Sequence, residues 1–235
     1  MKNFYCLLIF ILIVQVENTN AQAPFWNWAV TAGGQASDRA GAITYTADGN
    51  LLVTGFFSDT ANFGTTVLST GATAGMFIAK YNTNGNLLWA KKTGQSSGGL
   101  EPRQIAEDGS GNILISGYFG ASGSGGTVTL LPSTIFSSYG GSDIFAAKFN
   151  STGDLIWAKH IGSVDDDVQV ASTNGDGFII QGSVFQKIYA DDIIGKDSLN
   201  FTGNWRIWLA QYNSSGALTK FSDIITNCSY MTPAA

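Results

Sequence analysis

The sequence is poor in cysteine, histidine and charge, and each shortage excludes a class of site. Cys6 lies in an N-terminal apolar run, so Cys228 would be the only cysteine left once that run is removed, and no intrachain disulfide could form. With His160 as the only histidine, a zinc site of the usual nitrogen and sulfur ligands cannot be built. Only 12% of the residues are charged, the net charge is −5, and no basic cluster occurs, which argues against nucleic acid as a partner.

Long hydrophobic runs are also missing, apart from one near the start of the chain. Residues 6–16 form an apolar run that is short for a membrane span; Lys2 precedes it and Thr19-Asn20-Ala21 follows with small residues. This pattern predicts a signal peptide over residues 1–21, a mature chain beginning near Gln22, and a secreted or cell-surface protein that is not in the membrane after cleavage. A retained membrane anchor is the alternative.

What the chain does have is an internal repeat. Residues 77–94 read FIAKYNTNGNLLWAKKTG, residues 145–162 read FAAKFNSTGDLIWAKHIG, and residues 208–223 carry a degraded copy, WLAQYNSSGALTKFSD. The second half of the repeat occurs alone at residues 25–33, FWNWAVTAG. The hydrophobic fraction of 44% is large enough for a core, so the repeats are expected to fold.

Each repeat predicts four antiparallel strands joined by tight turns. Alternating apolar runs are separated by Asp-Gly or Asn-Gly turn signals, and no window has the apolar spacing of a helix. Longer loops are predicted between the second and third strands, at 58–75 (with one short strand at 66–69), 120–143 and 185–205. The repeats cover about residues 38–92, 102–160 and 167–224. Four strands per repeat of 60–68 residues predict an all-β chain of β-propeller blades; a sandwich is the rival, but it does not explain three copies of one meander.

The repeat resembles a known family. An Asp-Gly-Asn turn, a strand ending in Gly-Phe/Tyr-Phe, and Phe-x-Ala-Lys-Tyr/Phe-Asn-x-x-Gly-x-Leu-x-Trp-Ala-Lys are similar to the bacterial β-propeller repeat usually described as seven-bladed. The similarity covers roughly residues 26–224. It implies blade architecture, a large secreted or surface protein and a Bacteroidetes-like source, and it implies little about activity.

The number of blades is unusual for a propeller. One N-terminal strand and about three blades are present, whereas a closed ring needs roughly four to eight blades. The sequence is therefore predicted to be an incomplete propeller: a fragment, an open arc, or one part of an assembly. Open blade edges would invite self-association.

Binding is expected on the face that carries the long loops, because variable loops on a rigid scaffold commonly hold binding residues. Trp26 and Trp205 have no aromatic counterparts in the other repeats and, with the acidic pair Asp191 and Asp192, are the predicted contacts for protein or glycan. No cofactor is expected; the weak alternative is Ca²⁺ at Asp165, Asp166 and Asp167, since calcium prefers oxygen ligands.

Residues that recur with the repeat are predicted to be structural. Trp28, Trp89 and Trp157 occupy one repeat position and are assigned to packing between blades, and Trp208 takes the place of Phe77 in the core. His160 replaces Lys92 and is placed on the outer surface. The recurring lysines at 80 and 148, and at 91 and 159, are placed on the blade surface.

Three functions follow from these observations. The first is a binding or adhesion scaffold for protein or glycan. The second is an enzyme that acts on a polysaccharide through paired carboxylates, for which Asp38, Glu101 and Asp166 are the candidates. The third is a structural spacer of a larger surface protein. The presence of only one histidine, with no second one to serve as a base or ligand, makes an enzyme the weaker hypothesis.

Overall fold

A computed structural model describes residues 27–163, 168–174, 177–184, 187–190, 199–200 and 206–223. Over these residues the chain is all-β, built from sixteen strands, without a helix. The described part therefore offers no helix long and apolar enough to cross a membrane. The three sheets are antiparallel and do not close into a ring within this part of the chain.

Three β-propeller blades follow one another along the chain. Blade 1 consists of β1 (Asp38–Tyr45), β2 (Leu51–Phe63), β3 (Thr66–Tyr81) and β4 (Leu87–Ser96). Blade 2 consists of β5 (Leu100–Glu107), β6 (Ile113–Phe119), β9 (Asp143–Phe149) and β10 (Leu155–Gly162), with a hairpin of β7 (Thr127–Leu130) and β8 (Thr134–Ser137) between its second and third strands. Blade 3 consists of β11 (Val168–Asn174), β12 (Gly177–Val184), β15 (Arg206–Tyr212) and β16 (Leu218–Asp223), with β13 (Lys187–Ala190) and β14 (Leu199–Asn200) inserted at the same point.

The turns between the third and fourth strands share one construction. Asn82 begins the first of them, and its side-chain Oδ1 accepts hydrogen bonds from the main-chain N–H groups of residues 84 and 86. Gly85, the fourth residue, has a φ of 79°, which residues with a side chain rarely adopt. Asn150 and Asn213 cap the equivalent turns of blades 2 and 3 in the same way.

The prediction of a loop over residues 58–75 is wrong, except that the short strand predicted at 66–69 lies within β3. β2 and β3 continue as one long hairpin through this segment, and the register runs on to Phe63 opposite Thr66. Two irregularities, on either side of Asp59, bend the hairpin without ending the pairing. The segment is rich in threonine and glycine, so its apolar alternation is weak, but its main-chain groups still pair with each other.

The inserted hairpins extend the sheet of the preceding blade. β7 pairs with β4, with Gly94 opposite Leu130, and β13 pairs with β10, with Gly162 opposite Tyr189. Blades 1 and 2 thereby become six-stranded sheets, whereas the sheet of blade 3 has four strands. Gly33 makes the corresponding bridge to Asn62 in the long hairpin of blade 1. The segment 28–33 therefore holds the place of a fourth strand behind blade 1.

The core lies between the blades. One cluster joins Met76 and Ile78 of blade 1 to Ile105 and Phe145 of blade 2, and a second joins blade 2 to blade 3 around Trp208. Trp208 is fully buried, as predicted for a residue that replaces Phe77.

The packing role predicted for the recurring tryptophans is confirmed. Trp28 donates its Nε1–H to the carbonyl oxygen of Thr83, and Trp157 donates to that of Ser214, each in a turn of the next blade. The ring of Trp89 lies 3.3 Å from the Cβ position at Gly153. Each tryptophan thus covers the turn glycine of the following blade.

Candidate functional site

The site residues predicted from the sequence lie outside the part of the chain that the structure describes. This holds for the two unmatched tryptophans, for the acidic pair and for the calcium candidates: Trp26, Trp205, Asp191, Asp192, Asp165, Asp166 and Asp167. Their roles stay predictions. Among the described residues, no three His, Cys, Asp or Glu side chains come together in a way that could hold a metal ion.

The described residues do form a cavity at the boundary of blades 1 and 2. It has a volume of about 280 Å³ and lies where the chain passes from β4 to β5 and where β6 ends. Phe56 and Tyr118 supply aromatic walls and Glu101 supplies a carboxylate; the other lining residues are small or apolar, namely Ala74, Gly98, Gly99, Leu100, Gly120, Ser122 and Ser142. It is at the end of the blades from which the β7–β8 hairpin projects.

Glycine at the rim lets three backbone segments approach each other closely. Gly120 donates its N–H to the carbonyl oxygen of Gly99, and both have positive φ angles. A side chain at Gly98 would place its Cβ 2.5 Å from the carbonyl oxygen of Gly125. The rim therefore depends on glycine at these points, and a substitution would open the cavity.

A polar cluster of four side chains stands beside the cavity. Arg103 donates from Nη2 to Glu101 Oε2 over 2.6 Å and to the Tyr118 hydroxyl, and its guanidinium lies 5.0 Å from the centre of the Tyr118 ring. The Tyr118 hydroxyl in turn donates to Glu101 over 3.1 Å. Arg39, on β1 of the neighbouring blade, approaches the same carboxylate to 3.8 Å. Two arginines around one glutamate leave a net positive charge on a protein that is acidic as a whole.

Partial burial and bonding act in opposite directions on Arg103. Burial lowers the pKa of the guanidinium, but the hydrogen bond to Tyr118 and the charge of Glu101 outweigh it, so the pKa is raised above its ordinary value. Arg103 is cationic at every working pH. It is held in one orientation by the hydroxyl, the carboxylate and the ring, which reduces the conformational entropy that it would lose on binding a ligand.

The position of Arg103 explains why sequence reasoning missed it. The register of β5 against β6 shifts at Arg103, and the register of β1 against β2 shifts at Gly41, so both residues occupy the bulge of a first strand. A bulge re-aims the side chain it carries. Arginine in place of glycine at a repeat position was the available signal, but it shows only when the two strands are aligned through the bulge.

The surface position predicted for His160 is wrong. His160 is 3% exposed, and its Nε2 lies 2.7 Å from Asp143 Oδ2. The rings of Phe119, Phe136 and Tyr139 surround it; that of Tyr139 stacks on the imidazole at 4.6 Å. Phe136 comes from the β7–β8 hairpin, which pairs with blade 1, and Tyr139 comes from the segment after it. These rings enclose the imidazole, and His160 does not line the cavity.

The paired-carboxylate hypothesis finds no support in the positions of Asp38 and Glu101. Asp38 accepts hydrogen bonds from the main-chain N–H groups of Gly34 and Ser58 and lines a groove on the outer face of blade 1. Glu101 is held by two arginines and Tyr118 beside the other cavity. The two carboxylates face different cavities and do not flank a common bond. Asp166 lies outside the described residues.

The prediction that all recurring lysines lie on the surface is also wrong at one position. Lys148 is buried, and its Nζ lies 2.6 Å from the buried Asp108. Lys80, at the same repeat position, pairs with the exposed Asp48, and Lys91 makes an exposed ion pair with Asp154. These lysines serve the turn faces of the blades rather than the cavity.

Comparisons with known proteins agree with the architecture. No protein-family model matches the chain. A WD repeat-containing protein of Acanthamoeba polyphaga mimivirus is 29% identical over 169 residues, which are 61% of this chain and 11% of that protein. WD repeats are β-propeller repeats, so this similarity and the antiparallel sheets support a β-propeller-type repeat. The similarity to this protein does not show whether the repeat is of the bacterial type that the sequence resembles.

Proposed function

We propose that the chain is a secreted or cell-surface binding scaffold that contacts a protein partner at the cavity between blades 1 and 2. The observation that carries the proposal is the preorganised cluster of Arg103, Tyr118 and Glu101 at the mouth of that cavity. Arginine and tyrosine are the side chains that most often dominate the binding energy of protein interfaces. The rigid blades hold these side chains in fixed positions at the boundary of blades 1 and 2.

The similarity to a WD repeat-containing protein supports a scaffold in general terms, because propeller repeats commonly present binding surfaces on a fixed framework. The secreted or surface location rests on the pattern of residues 1–21.

The test compares the protein with a variant that lacks the cluster. Arg103→Ala combined with Tyr118→Ala removes the two groups expected to dominate binding, and Leu88→Ala, an exposed site on β4 away from the cavity, is the control. Each purified protein is immobilised and exposed to extracellular and surface proteins of the producing organism, and retained proteins are quantified by mass spectrometry. We expect proteins that the unmodified chain and the control retain and the double variant loses. Equal retention of the same proteins by the unmodified chain, the control and the double variant would refute the proposed binding site.

A glycan is the second candidate ligand, favoured by the shape of the cavity. A space of about 280 Å³ with two aromatic walls and a carboxylate is suited to a sugar ring, which stacks on aromatic faces and donates hydroxyls to carboxylates. The same three proteins on a glycan array decide between the two. Sugars retained by the control and lost in the double variant would assign the cavity to glycan rather than protein. A structural spacer would retain nothing in either experiment and would gain no stability from any ligand.

A further inference from the structure

No other blade covers the face of blade 1 that points away from blade 2 in the part of the chain that the structure describes. Ile43 lies opposite Val53, and Ile105 lies opposite Ile115, so the two isoleucines hold the same position in their blades. Ile105 is 6% exposed because blade 1 packs against it, whereas Ile43 is 63% exposed. The residues that form an interface between blades 1 and 2 thus recur here without a blade on them, within the described part of the chain.

One edge of this face is an irregular segment, residues 28–33, which occupies the place of a fourth strand and has no neighbour on its inner side among the described residues. The segment 28–33 is held on its outer side at Gly33 by Asn62, and Trp28 is anchored on Thr83. In blade 1, the corresponding inner edge of the fourth strand pairs with the third strand, with Ile78 opposite Lys91. Residues 29–32 make no main-chain hydrogen bond to other described residues. Their N–H and C=O groups are therefore a template for strand addition.

An apolar groove lies between this segment and β1. Its volume is about 280 Å³, and its lining is mainly apolar, with Val30, Ile43, Val53, Phe57, Phe77 and Tyr81 among the residues, and with Asp38 and Arg39 also on its wall. The groove shares no lining residue with the cavity between blades 1 and 2. An extended chain added to residues 29–32 would point every second side chain onto this apolar surface.

We propose that this groove binds an extended segment of a protein partner by strand addition to residues 29–32. The chain's own third strands define the segment that fits. In blade 1, Met76 and Ile78 point into the core shared with blade 2, and the lysine two residues later completes the alternation. A partner strand in the groove would offer the same pattern: two apolar residues at alternate positions, followed after one more residue by a lysine.

The test uses a synthetic peptide of residues 75–82, GMFIAKYN, labelled with a fluorophore and titrated with the full chain by fluorescence polarisation. Two matched peptides are the controls. Ile78→Asp in the peptide places a carboxylate on the apolar surface, and Ala79→Pro removes a main-chain donor from the ladder. On the protein side, Ile43→Glu changes an exposed groove residue without disturbing a buried one, and Ile156→Glu changes an isoleucine on β10 that is also exposed, to 51%, but lies outside the groove.

We expect saturable binding of the unmodified peptide, weakened by about tenfold or more by Ile43→Glu and unchanged by Ile156→Glu. Neither control peptide should bind, and hydrogen exchange should show protection of the amides of residues 29–32 when the unmodified peptide is bound. Absence of binding, or equal binding of the Ile78→Asp peptide, would overturn the proposal. So would self-association of the unmodified protein that Ile43→Glu abolishes, because the groove would then belong to a second copy. None of these outcomes depends on Arg103 or Tyr118.

Discussion

Replacing Lys148 by methionine should destabilise the protein strongly, whereas the same change at Lys80 should not. Methionine keeps much of the apolar stem of lysine and removes the charge. Lys148 Nζ lies 2.6 Å from Asp108, and the two side chains are 5% and 0% exposed. Lys80 occupies the same repeat position, but its partner Asp48 is 56% exposed. The two substitutions therefore compare a lysine whose carboxylate partner is buried with one whose partner is exposed. The repeat position and the lysine-to-methionine change are the same in both.

The magnitude follows from what Lys148→Met leaves behind. Asp108 would keep hydrogen bonds from the main-chain N–H groups of Ser110 and Asn112 but would lose the cation that lies 2.6 Å from its carboxylate. Breaking one side of a buried ion pair costs about 3–5 kcal/mol. With a urea dependence of about 3 kcal/mol per molar, a loss of ~3 kcal/mol moves the unfolding midpoint down by about 1 M. Water solvates Asp48, so Lys80→Met should move the midpoint by a small fraction of that.

The assay is urea unfolding at pH 7, followed by circular dichroism and tryptophan fluorescence, with Asp108→Asn and the double variant completing a cycle. Coupling between Asp108 and Lys148 should account for most of the loss. Equal midpoint shifts for Lys148→Met and Lys80→Met would refute the reasoning, because burial would then not decide the value of the pair. The reasoning would also be refuted if the losses of stability from Lys148→Met and Asp108→Asn simply added in the double variant.

The dependence of stability on pH tests the same pair, Asp108 and Lys148, in a second way. Burial alone would raise the pKa of Asp108, but hydrogen bonds from Lys148 and Asn112 outweigh it, and the pKa is lowered. A carboxyl with a depressed folded-state pKa contributes stability above its unfolded pKa of about 3.9 and loses it as the pH falls through the folded value. Without Lys148, burial is less opposed and the pKa of Asp108 in the variant is higher than in the protein, so the difference in stability between the two should be largest near neutral pH and shrink as the pH falls through these two pKa values.

Three further predictions concern other sites. Gly182→Ala should cost about 1–3 kcal/mol in urea unfolding and alter the near-ultraviolet dichroism, because a Cβ there would lie 2.4 Å from the ring of Trp208; an unchanged midpoint would contradict that contact. His160→Leu should cost about 1–3 kcal/mol, since it leaves Oδ2 of the buried Asp143 without its ring partner; an unchanged unfolding midpoint would contradict the importance of that hydrogen bond. The exported protein should begin near Gln22 by mass spectrometry, and retention of residues 1–21 would indicate the membrane anchor instead.

The regular parts of the fold could be predicted from the sequence because each depends on a local signal. A turn glycine with positive φ and an asparagine three residues before it mark the end of a strand, as at Asn150 and Gly153. The repeat spacing of Gly55 and Phe77 also has a direct cause: the two residues are opposite each other, and a Cβ on Gly55 would lie 2.9 Å from the Phe77 ring. The recurring glycine also has a backbone cause, because a Cβ at Gly55 or Gly117 would lie 2.0 or 2.2 Å from a carbonyl oxygen of the adjacent first strand.

The extent of the hairpins could not be predicted in the same way. The β7–β8 hairpin contains mostly Thr, Ser, Leu and Ile and pairs with a strand of the preceding blade. Its stability comes from that partner, which lies about 35 residues away in the sequence, and not from its own alternation. A local pattern carries no information about such pairing, so the sequence predicts a loop for this part of the chain.

The chemically interesting residues are those at which one blade departs from the others, and the departures occur in contacting groups. In blade 1 the third strand has Gly75 where blade 2 has Asp143, and the fourth strand has Lys92 where blade 2 has His160.

Both differences fall on the contact between the buried side chains of His160 and Asp143. The cavity cluster follows the same rule: Gly41 is replaced by Arg103, Arg39 by Glu101, and Phe56 by Tyr118, and the three new side chains bond to one another. A residue that recurs at one repeat position indicates packing, because that position contacts the same neighbouring residues in every blade. A position that breaks the repeat is free of that constraint, and two such positions in contact are evidence of a local chemical requirement. Aligning the blades through their bulges therefore locates candidate sites in a single sequence, where neither composition nor motif does.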